Sequence, residues 1–542
     1  MNGHSQIPIP VNEPVHSYAP GTPERRALKA RLSSLAGERI DIPLIIGGKE
    51  VRSERTCDAV MPHNHAHVLG TWHKAGPTEV ADAIAAALKA REEWSRWPFE
   101  DRAAVLLKAA ELLSTSWRST LNGATMLCQS KTAFQAEIDS AAELVDFYRF
   151  NAHYAERIYE DQPLSVGGAW NRLEYRPLEG FVLAVTPFNF TSIAGNLPTA
   201  PVLMGNTVIW KPASSTVYTG YYLMRLLEAA GMPPGVINFV PGDGSALSQV
   251  ALNHPSLAGI HFTGSTGVFQ MMWRTVGENI QKYRTYPRLV GETGGKDFIL
   301  AHASADRDAL VAAILRGGFE YQGQKCSAVS RVYVPDTLWR SIKDDLLGQA
   351  SGIAMGDVTD FRNFMGAVID RGAYNSITAY LEEARHASDA AILVGGEADD
   401  TTGYFIRPTI IEARRPDYRT MCEEIFGPVV TVYVYPEQQW TETLKLVDET
   451  SPYALTGAVF AQDRSALRQA NDALRFAAGN YYINDKPTGA VVGQQPFGGA
   501  RGSGTNDKAG SLLNLLRWVS ARTIKETFVP PTSYRYPFMA EE

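Results

Sequence analysis

The spacing of apolar residues changes character along the chain, and the changes divide it into stretches. Near the start, "IDIPLIIGGKEV" packs its apolar residues closely around Gly47 and Gly48, which predicts two short strands joined by a glycine turn. In "PTEVADAIAAALKAREEWSRW" the apolar side chains Val80, Ile84, Leu88 and Trp94 recur near one face, the mark of an amphipathic helix. "DRAAVLLKAAELLSTSW" repeats that pattern with Asp101 as its N-cap, and 135–154 reads as a long helix carrying Glu143 and Asp146. From 180 to about 295, short apolar runs ("GFVLAVTPF", "TVIWKPA", "VINFVPG", "LAGIHFTG") alternate with helical segments. One of these, "TGYYLMRLLEAAG", ends at Gly231. Strands alternating with helices imply a doubly wound parallel sheet, covered on both faces. A second α/β stretch runs from about 297 to 485 and ends in the glycine-rich "PTGAVVGQQPFGGARGSGTNDKAG", a functional loop rather than a linker.

Length and composition narrow the class. A chain of 542 residues is too long for one ordinary core, so two or three structural units are expected. A hydrophobic content of 45% with 20% charged residues suits a globular protein, and a net charge of -7 argues against nucleic-acid binding. The four cysteines, Cys57, Cys128, Cys326 and Cys422, are widely separated and form no disulfide-like framework, which suits a reducing compartment. The first residues, with Glu13 and several prolines, resemble neither a secretory signal nor a transit peptide. No apolar run approaches the roughly 18–20 residues that span a bilayer, so membrane insertion is not expected. These features predict a cytoplasmic enzyme with an extended arm at its start.

Several strings carry candidate chemistry. "YQGQKCSAVS" sets Cys326 among small and polar residues beside Lys325, whose charge would favour a thiolate; the plainer alternative is a buried small hydrophobe. Glu292 in "GETGGKDF" is either an acid brought close to a ligand or the exposed acid of a glycine turn. Asn189 in "TPFNFTS" is either an amide donor to a developing oxyanion or a turn residue. "IHFTGSTGVF" follows an apolar run and opens a helix, whose N-terminal N–H groups suit a pyrophosphate. It lacks the full GxGxxG fingerprint. Lys211 and Ser214 in "WKPASS" stand at a strand end, where ribose or phosphate is commonly held. His63, His65, His67 and His73 look like a metal cluster, but the first three would share one strand face without tetrahedral convergence, so no metal is expected.

Taken in order, "TPFNF", "WKPAS", "FTGST", "GETGGK", "GQKCSA", "EEIFGP" and "QPFGG" resemble the aldehyde dehydrogenase superfamily over about 40–527. "GETGGKDF", "YQGQKCSA", "NDKPTGAVVGQQPFGGARGSGTNDKAG" and "LLRWVSARTIKETF" are similar to its pyrroline-5-carboxylate dehydrogenase branch. The resemblance implies oxidation of L-glutamate γ-semialdehyde, formed by hydrolysis of pyrroline-5-carboxylate, to glutamate in proline breakdown. It casts Cys326 as nucleophile, Asn189 with the Cys326 N–H as oxyanion donors, and Glu292 as the base that activates water. On the cofactor side it implies Lys211 and Ser214 at the adenosine ribose, and Gly264 with Ser265 at the pyrophosphate. Glu424 then meets the nicotinamide ribose and Phe426 the nicotinamide. Many superfamily members carry glutamate where Ser214 stands, so strict NAD selectivity is weakened; NAD is still favoured over NADP because the branch mainly uses it.

For the substrate, the resemblance implies a carboxylate anchor of Ser327 and the N–H groups of Gly489 and Ala490. Phe190 and Phe497 would box the aliphatic part, or pack as simple core. Glu143 would meet the ammonium, or form a helix-surface salt bridge. The implied fold is α/β and aldehyde dehydrogenase-like. A Rossmann-type NAD-binding domain (40–164 and 186–294) and an α/β catalytic domain (295–485) follow an N-terminal arm (1–39). A small β oligomerisation flap (165–185 and 505–542) and a substrate-anchor, glycine-rich loop (486–504) complete it. The flap implies a homo-oligomer, at least a dimer, and functional coupling to a separate proline dehydrogenase fits the reaction. Competing readings are another semialdehyde dehydrogenase, for example for succinate semialdehyde, and a non-catalytic binding protein of the same fold.

Overall fold

A computed structural model describes residues 5–541. Two seven-stranded sheets organise it. The first has strand order Arg288–Glu292, Leu257–Thr263, Phe181–Val185, Thr207–Lys211, Ile237–Phe239, Leu44–Ile46, Lys49–Val51. Its first five strands are parallel, and the last two form the antiparallel hairpin expected around Gly47 and Gly48. The central strands are apolar along their whole length because helices cover both faces: Phe181, Val182, Leu183 and Ala184 are fully buried. Helix Val217–Ala230 stops where Gly231 turns left-handed at φ 99, a conformation that glycine adopts without a Cβ penalty.

The second sheet has the order Ala390–Val394, Thr409–Ala413, Val429–Tyr435, Val329–Pro335, Asp297–Ala301, Thr456–Phe460, Asn480–Ile483, parallel except at its first pair. Strands Ala169–Pro177 and Val519–Thr527 pair antiparallel over nine residues as a separate ribbon. Among the described residues, no helix is long and apolar enough to cross a membrane.

Four expectations need correction. Residues 1–39 are not an extended arm throughout. Pro23–Gly37 is a helix, started by Thr22 as N-cap and by proline at its first turn, and its buried face is Leu28, Leu32 and Leu35. Phe181–Val185 belongs to the centre of the first sheet rather than to the flap, as its continuous apolar run requires. At the other end of the flap, Leu515 and Trp518 are fully buried, so the exposed ribbon begins only at Val519. Asp101 is no N-cap: helix Phe99–Ser114 begins before it, which leaves Asp101 in the first turn, where an acid still favours the helix dipole. The long helix expected over 135–154 does form, but a π-helical segment, Glu137–Glu143, interrupts it before Leu144–Glu160.

Candidate active site

The site lies where the C-terminal ends of the first sheet's strands face the second sheet. Strand Leu257–Thr263 passes through Gly264 into helix Thr266–Glu278. Its N-cap, Ser265, makes no side-chain cap bond, so the first-turn N–H groups stay open to an anion. Lys211 ends strand Thr207–Lys211, and burial lowers its pKa, with Asp243 opposing the shift. Ser214 opens a short 3-10 turn just beyond. From the opposite side, Glu424 Oε1 accepts the Gly295 N–H at 2.8 Å. A Cβ on Gly294 would come 2.2 Å from Glu424 Oε2, so a side chain there would displace that carboxylate. Burial pushes Glu424 up to about 7. Phe426 holds φ 57, strained for a bulky residue, and sets its ring edge-on to Phe188 at 5.7 Å. Lys211, Ser214, Gly264, Ser265, Glu424 and Phe426 line one cavity of about 880 Å³, together with Asn189 and Cys326.

Cys326 follows a turn in which Tyr321 (φ 52) and Gln322 (φ 56) are both left-handed. Side chains fasten this turn. Gln322 Nε2 donates to the carbonyls of Ser130 and Ala367, and Gln324 Oε1 accepts the Ile369 N–H at 2.8 Å. The thiol is only 7% exposed, and its Sγ lies 3.7 Å from Glu292 Oε1. Burial, then the neighbouring carboxylates of Glu292, Asp297 and Glu424, push the Cys326 pKa well above the usual thiol range. The expected help from Lys325 is absent, because its ammonium turns away and pairs with Glu320 at 3.1 Å. The thiol is therefore protonated at rest, and the group placed to take its proton is Glu292. That carboxyl ends strand Arg288–Glu292, and burial pushes it up to about 7. Asn189 Nδ2 donates to the Gln324 carbonyl at 3.1 Å, and its other amide hydrogen has no partner among the described residues. This tether holds the amide close to the backbone that leads into Cys326.

A second cavity, of about 410 Å³, meets the first at Cys326 and is lined by Glu143, Phe190, Ser327, Gly489, Ala490 and Phe497. Ser327 Oγ and Thr488 Oγ1 are 2.7 Å apart, which fixes the loop's start. Gly489 sits at φ 94, and among the described residues the N–H groups of Gly489 and Ala490 have no hydrogen-bond acceptor. Two adjacent open donors make a seat for a carboxylate. Glu143 accepts from Ser192 Oγ at 3.1 Å, and burial, then Asp139, push it up to about 8. It lines the cavity rather than an outer helix surface.

All fifteen residues expected at the site thus gather around Cys326, Glu292 through its contact with the thiol and the others along the two cavities. Others were not anticipated. Lys131 and Asp139 form a fully buried ion pair at 2.6 Å, with the ammonium over the rings of Phe190 and Tyr321. Asp139 also accepts the N–H groups of Thr191 and Ser192, which seats the helix that follows Asn189 and Phe190. The signal available was a lysine and an acid eight positions apart at the entry to the long helix. Asn12, Glu13 and Val15 of the arm reach the second cavity, with no signal in their own string. The four histidines diverge: His65 and His67 meet the carbonyls of Asp400 and Ala36, His73 that of Ser53, and His63 is buried 3.8 Å from Asp357.

Comparison with known proteins agrees with this geometry. Residues 50–524 match the aldehyde dehydrogenase family. A mitochondrial delta-1-pyrroline-5-carboxylate dehydrogenase of Dictyostelium discoideum is 51% identical over 540 residues, 99% of this chain and 97% of that protein. The corresponding enzyme of Agaricus bisporus is 51% identical over 98% of both chains. The crystal structure of delta-pyrroline-5-carboxylate dehydrogenase from Mycobacterium tuberculosis bound with NAD superposes with a TM-score of 0.97, at 56% identity over 100% of both chains. The chain belongs to the aldehyde dehydrogenase family.

Proposed function

We propose that this chain is an NAD-dependent L-glutamate γ-semialdehyde dehydrogenase, acting on the open form of pyrroline-5-carboxylate. The observation that carries the reading is that a dinucleotide-sized cavity and a smaller cavity with an anion seat share one wall, Cys326. The donor set of the larger cavity fits NAD. The open helix N-terminus at Ser265 suits the pyrophosphate, Lys211 and Ser214 suit the adenosine ribose, and Glu424 with Phe426 suits the nicotinamide riboside. Ser214 carries no charge to repel a 2′-phosphate, so NADP remains a weaker alternative.

Cys326 Sγ adds to the aldehyde carbon as its proton passes to Glu292, and a C–S bond forms while the carbonyl π bond becomes an alkoxide. The free amide hydrogen of Asn189 and the Cys326 N–H stabilise that oxyanion, which develops only as the bond forms. NAD, when bound, supplies the hydride acceptor that converts the hemithioacetal to a thioester. Glu292, having lost its proton to solvent, then takes one from water; the hydroxide adds, and the thiolate leaves with glutamate released. A carboxyl held at about 7 by burial serves as acceptor and donor near neutral pH. At the far end, the N–H groups of Gly489 and Ala490 with Ser327 hold the α-carboxylate. Glu143, raised to about 8 by burial, ionises as the ammonium binds beside it, and Phe190 and Phe497 flank the methylenes.

The exposed ribbon, with Trp170 and Phe528 at its surface, serves a homo-oligomer of at least two chains. All four cysteines are free, as in a reducing compartment. We place the enzyme in the cytoplasm; the Dictyostelium discoideum relative is named as mitochondrial. A separate proline dehydrogenase would supply the substrate.

NADH formation tests the reading, measured with pyrroline-5-carboxylate and with succinate semialdehyde. The expected result is a strong preference for the former, and preference for succinate semialdehyde would overturn the substrate assignment.

A further inference from the structure

The N-terminal arm runs along the long helix in the opposite direction. The Ile7 N–H is accepted by Glu156, the Glu13 N–H by Asp146 and the His16 N–H by Glu137, at 2.8, 2.7 and 2.7 Å. The two lengths match. Nine extended residues cover about 30 Å, and nineteen residues at the α-helical rise about 29 Å, slightly less for the π-helical turn at Glu137–Glu143. Such a match lets the arm lie flat without bulging. The arm is also riveted. Glu13 pairs with Arg118 and Arg149, the Pro14 carbonyl accepts from Arg118, and the buried Tyr18 hydroxyl donates to Glu137. A mere tether would not need buried charge pairs.

At its middle the arm reaches the substrate cavity. Asn12 Nδ2 donates to Asp146 Oδ2 at 2.7 Å and to the Val492 carbonyl at 2.8 Å, and Asn12 Oδ1 accepts from Gln494 Nε2 at 2.9 Å. Asp146 lies three residues beyond Glu143 on one helical path, while Val492 is two residues beyond Ala490. A single carboxamide therefore ties the helix that carries Glu143 to the loop with the open N–H groups. Only an amide does this, because the position needs donors toward Asp146 and Val492 and an acceptor toward Gln494.

We propose that Asn12 is a positioning residue that sets the distance between the carboxylate seat at Gly489 and Ala490 and the ammonium partner Glu143, so that the arm selects for an amino-acid semialdehyde. The proposal rests on the substrate reading given above. Asn12 does not touch the reacting atoms; it acts through the loop and the helix it joins. Misplacing an anchored substrate by about 1 Å can cost on the order of 100-fold in rate. Loss of one strut, with the rest of the arm still bound, should cost less.

The test compares glutamate γ-semialdehyde with butanal, which has the aliphatic chain but neither charged group. Asn12→Ala should raise KM for the semialdehyde about tenfold, with kcat for butanal and KM for NAD within about twofold of wild type. The selectivity ratio should fall accordingly. Gln494→Ala, at an exposed position outside the core, should move the ratio in the same direction by about threefold. A parallel loss for both aldehydes, or a lowered Tm with the ratio unchanged, would reduce Asn12 to a structural role and overturn the proposal. If wild type itself showed no preference for the semialdehyde, the substrate reading would fail and this role of Asn12 with it; that result appears before any variant is made.

Discussion

The two cavities that meet at Cys326 are built by different means. The cofactor cavity is made mostly of local pieces, strand ends, a glycine turn and a helix N-terminus, with Glu424 and Phe426 reaching in from the opposite side. The substrate cavity is made of distant pieces: the arm near 12, the helix near 143 and the loop near 490, held by side-chain bridges that span hundreds of positions. At the helix N-terminus after Ser265 backbone N–H groups do the binding, so that part of the cavity tolerates side-chain change. Long-range construction concentrates the geometry in a few polar side chains. Substitutions on the substrate side should therefore shift selectivity among aldehydes, whereas those on the cofactor side should shift affinity for the dinucleotide and leave aldehyde selectivity alone.

Predictions that would break or sharpen this contrast run from large to small. Cys326 belongs to both cavities, so Cys326→Ala should lower NADH formation by at least about 10⁴-fold, with NAD binding by fluorescence titration unchanged. Asn189→Ala should lower kcat by about 10²–10³-fold at unchanged KM for NAD, since its free N–H acts on the oxyanion rather than on either bound ligand. The pH profile of thioester hydrolysis should report Glu292. A base must be ionised, so the rate should fall about tenfold per unit below the carboxyl's value of about 7 and level off above it. Ser214→Glu should weaken kcat/KM for NADP about tenfold without weakening NAD, because the added carboxylate repels a 2′-phosphate but can accept the 2′-hydroxyl of the NAD ribose.

The same contrast explains what was legible in the sequence. The apolar runs and the glycine stops marked the first sheet and its helices, down to Gly231 as a helix terminator and the hairpin at Gly47 and Gly48. The seven ordered strings contain Cys326, Asn189 and Glu292, which the fold brings to one place. What stayed hidden depends on partners far along the chain. The arm's helix Pro23–Gly37 and the bridges of Asn12 need surfaces that no local window contains. The π-helical segment arises in a stretch whose apolar spacing reads as an ordinary helix. Lys325 beside Cys326 suggested a charge-assisted thiolate, but adjacency in sequence is not adjacency of charge. The ammonium is taken by Glu320, and the thiol is left facing carboxylates. The difference matters chemically, since in the proposed mechanism activation of the thiol passes to Glu292.

The central claim is that Cys326 carries the substrate and that Glu292 moves the proton and activates the water. Glu292→Gln removes both the acceptor of the thiol proton and the base for hydrolysis, so near neutral pH it should form little thioester. At alkaline pH, where hydroxide can take the thiol proton, it should form the thioester and hydrolyse it slowly. Incubated at alkaline pH with NAD and glutamate γ-semialdehyde and then quenched in acid, that variant should show, by peptide mass spectrometry, a glutamyl thioester on Cys326 that wild type does not accumulate. An adduct on another cysteine, or full turnover with no slowed hydrolysis, would contradict the account.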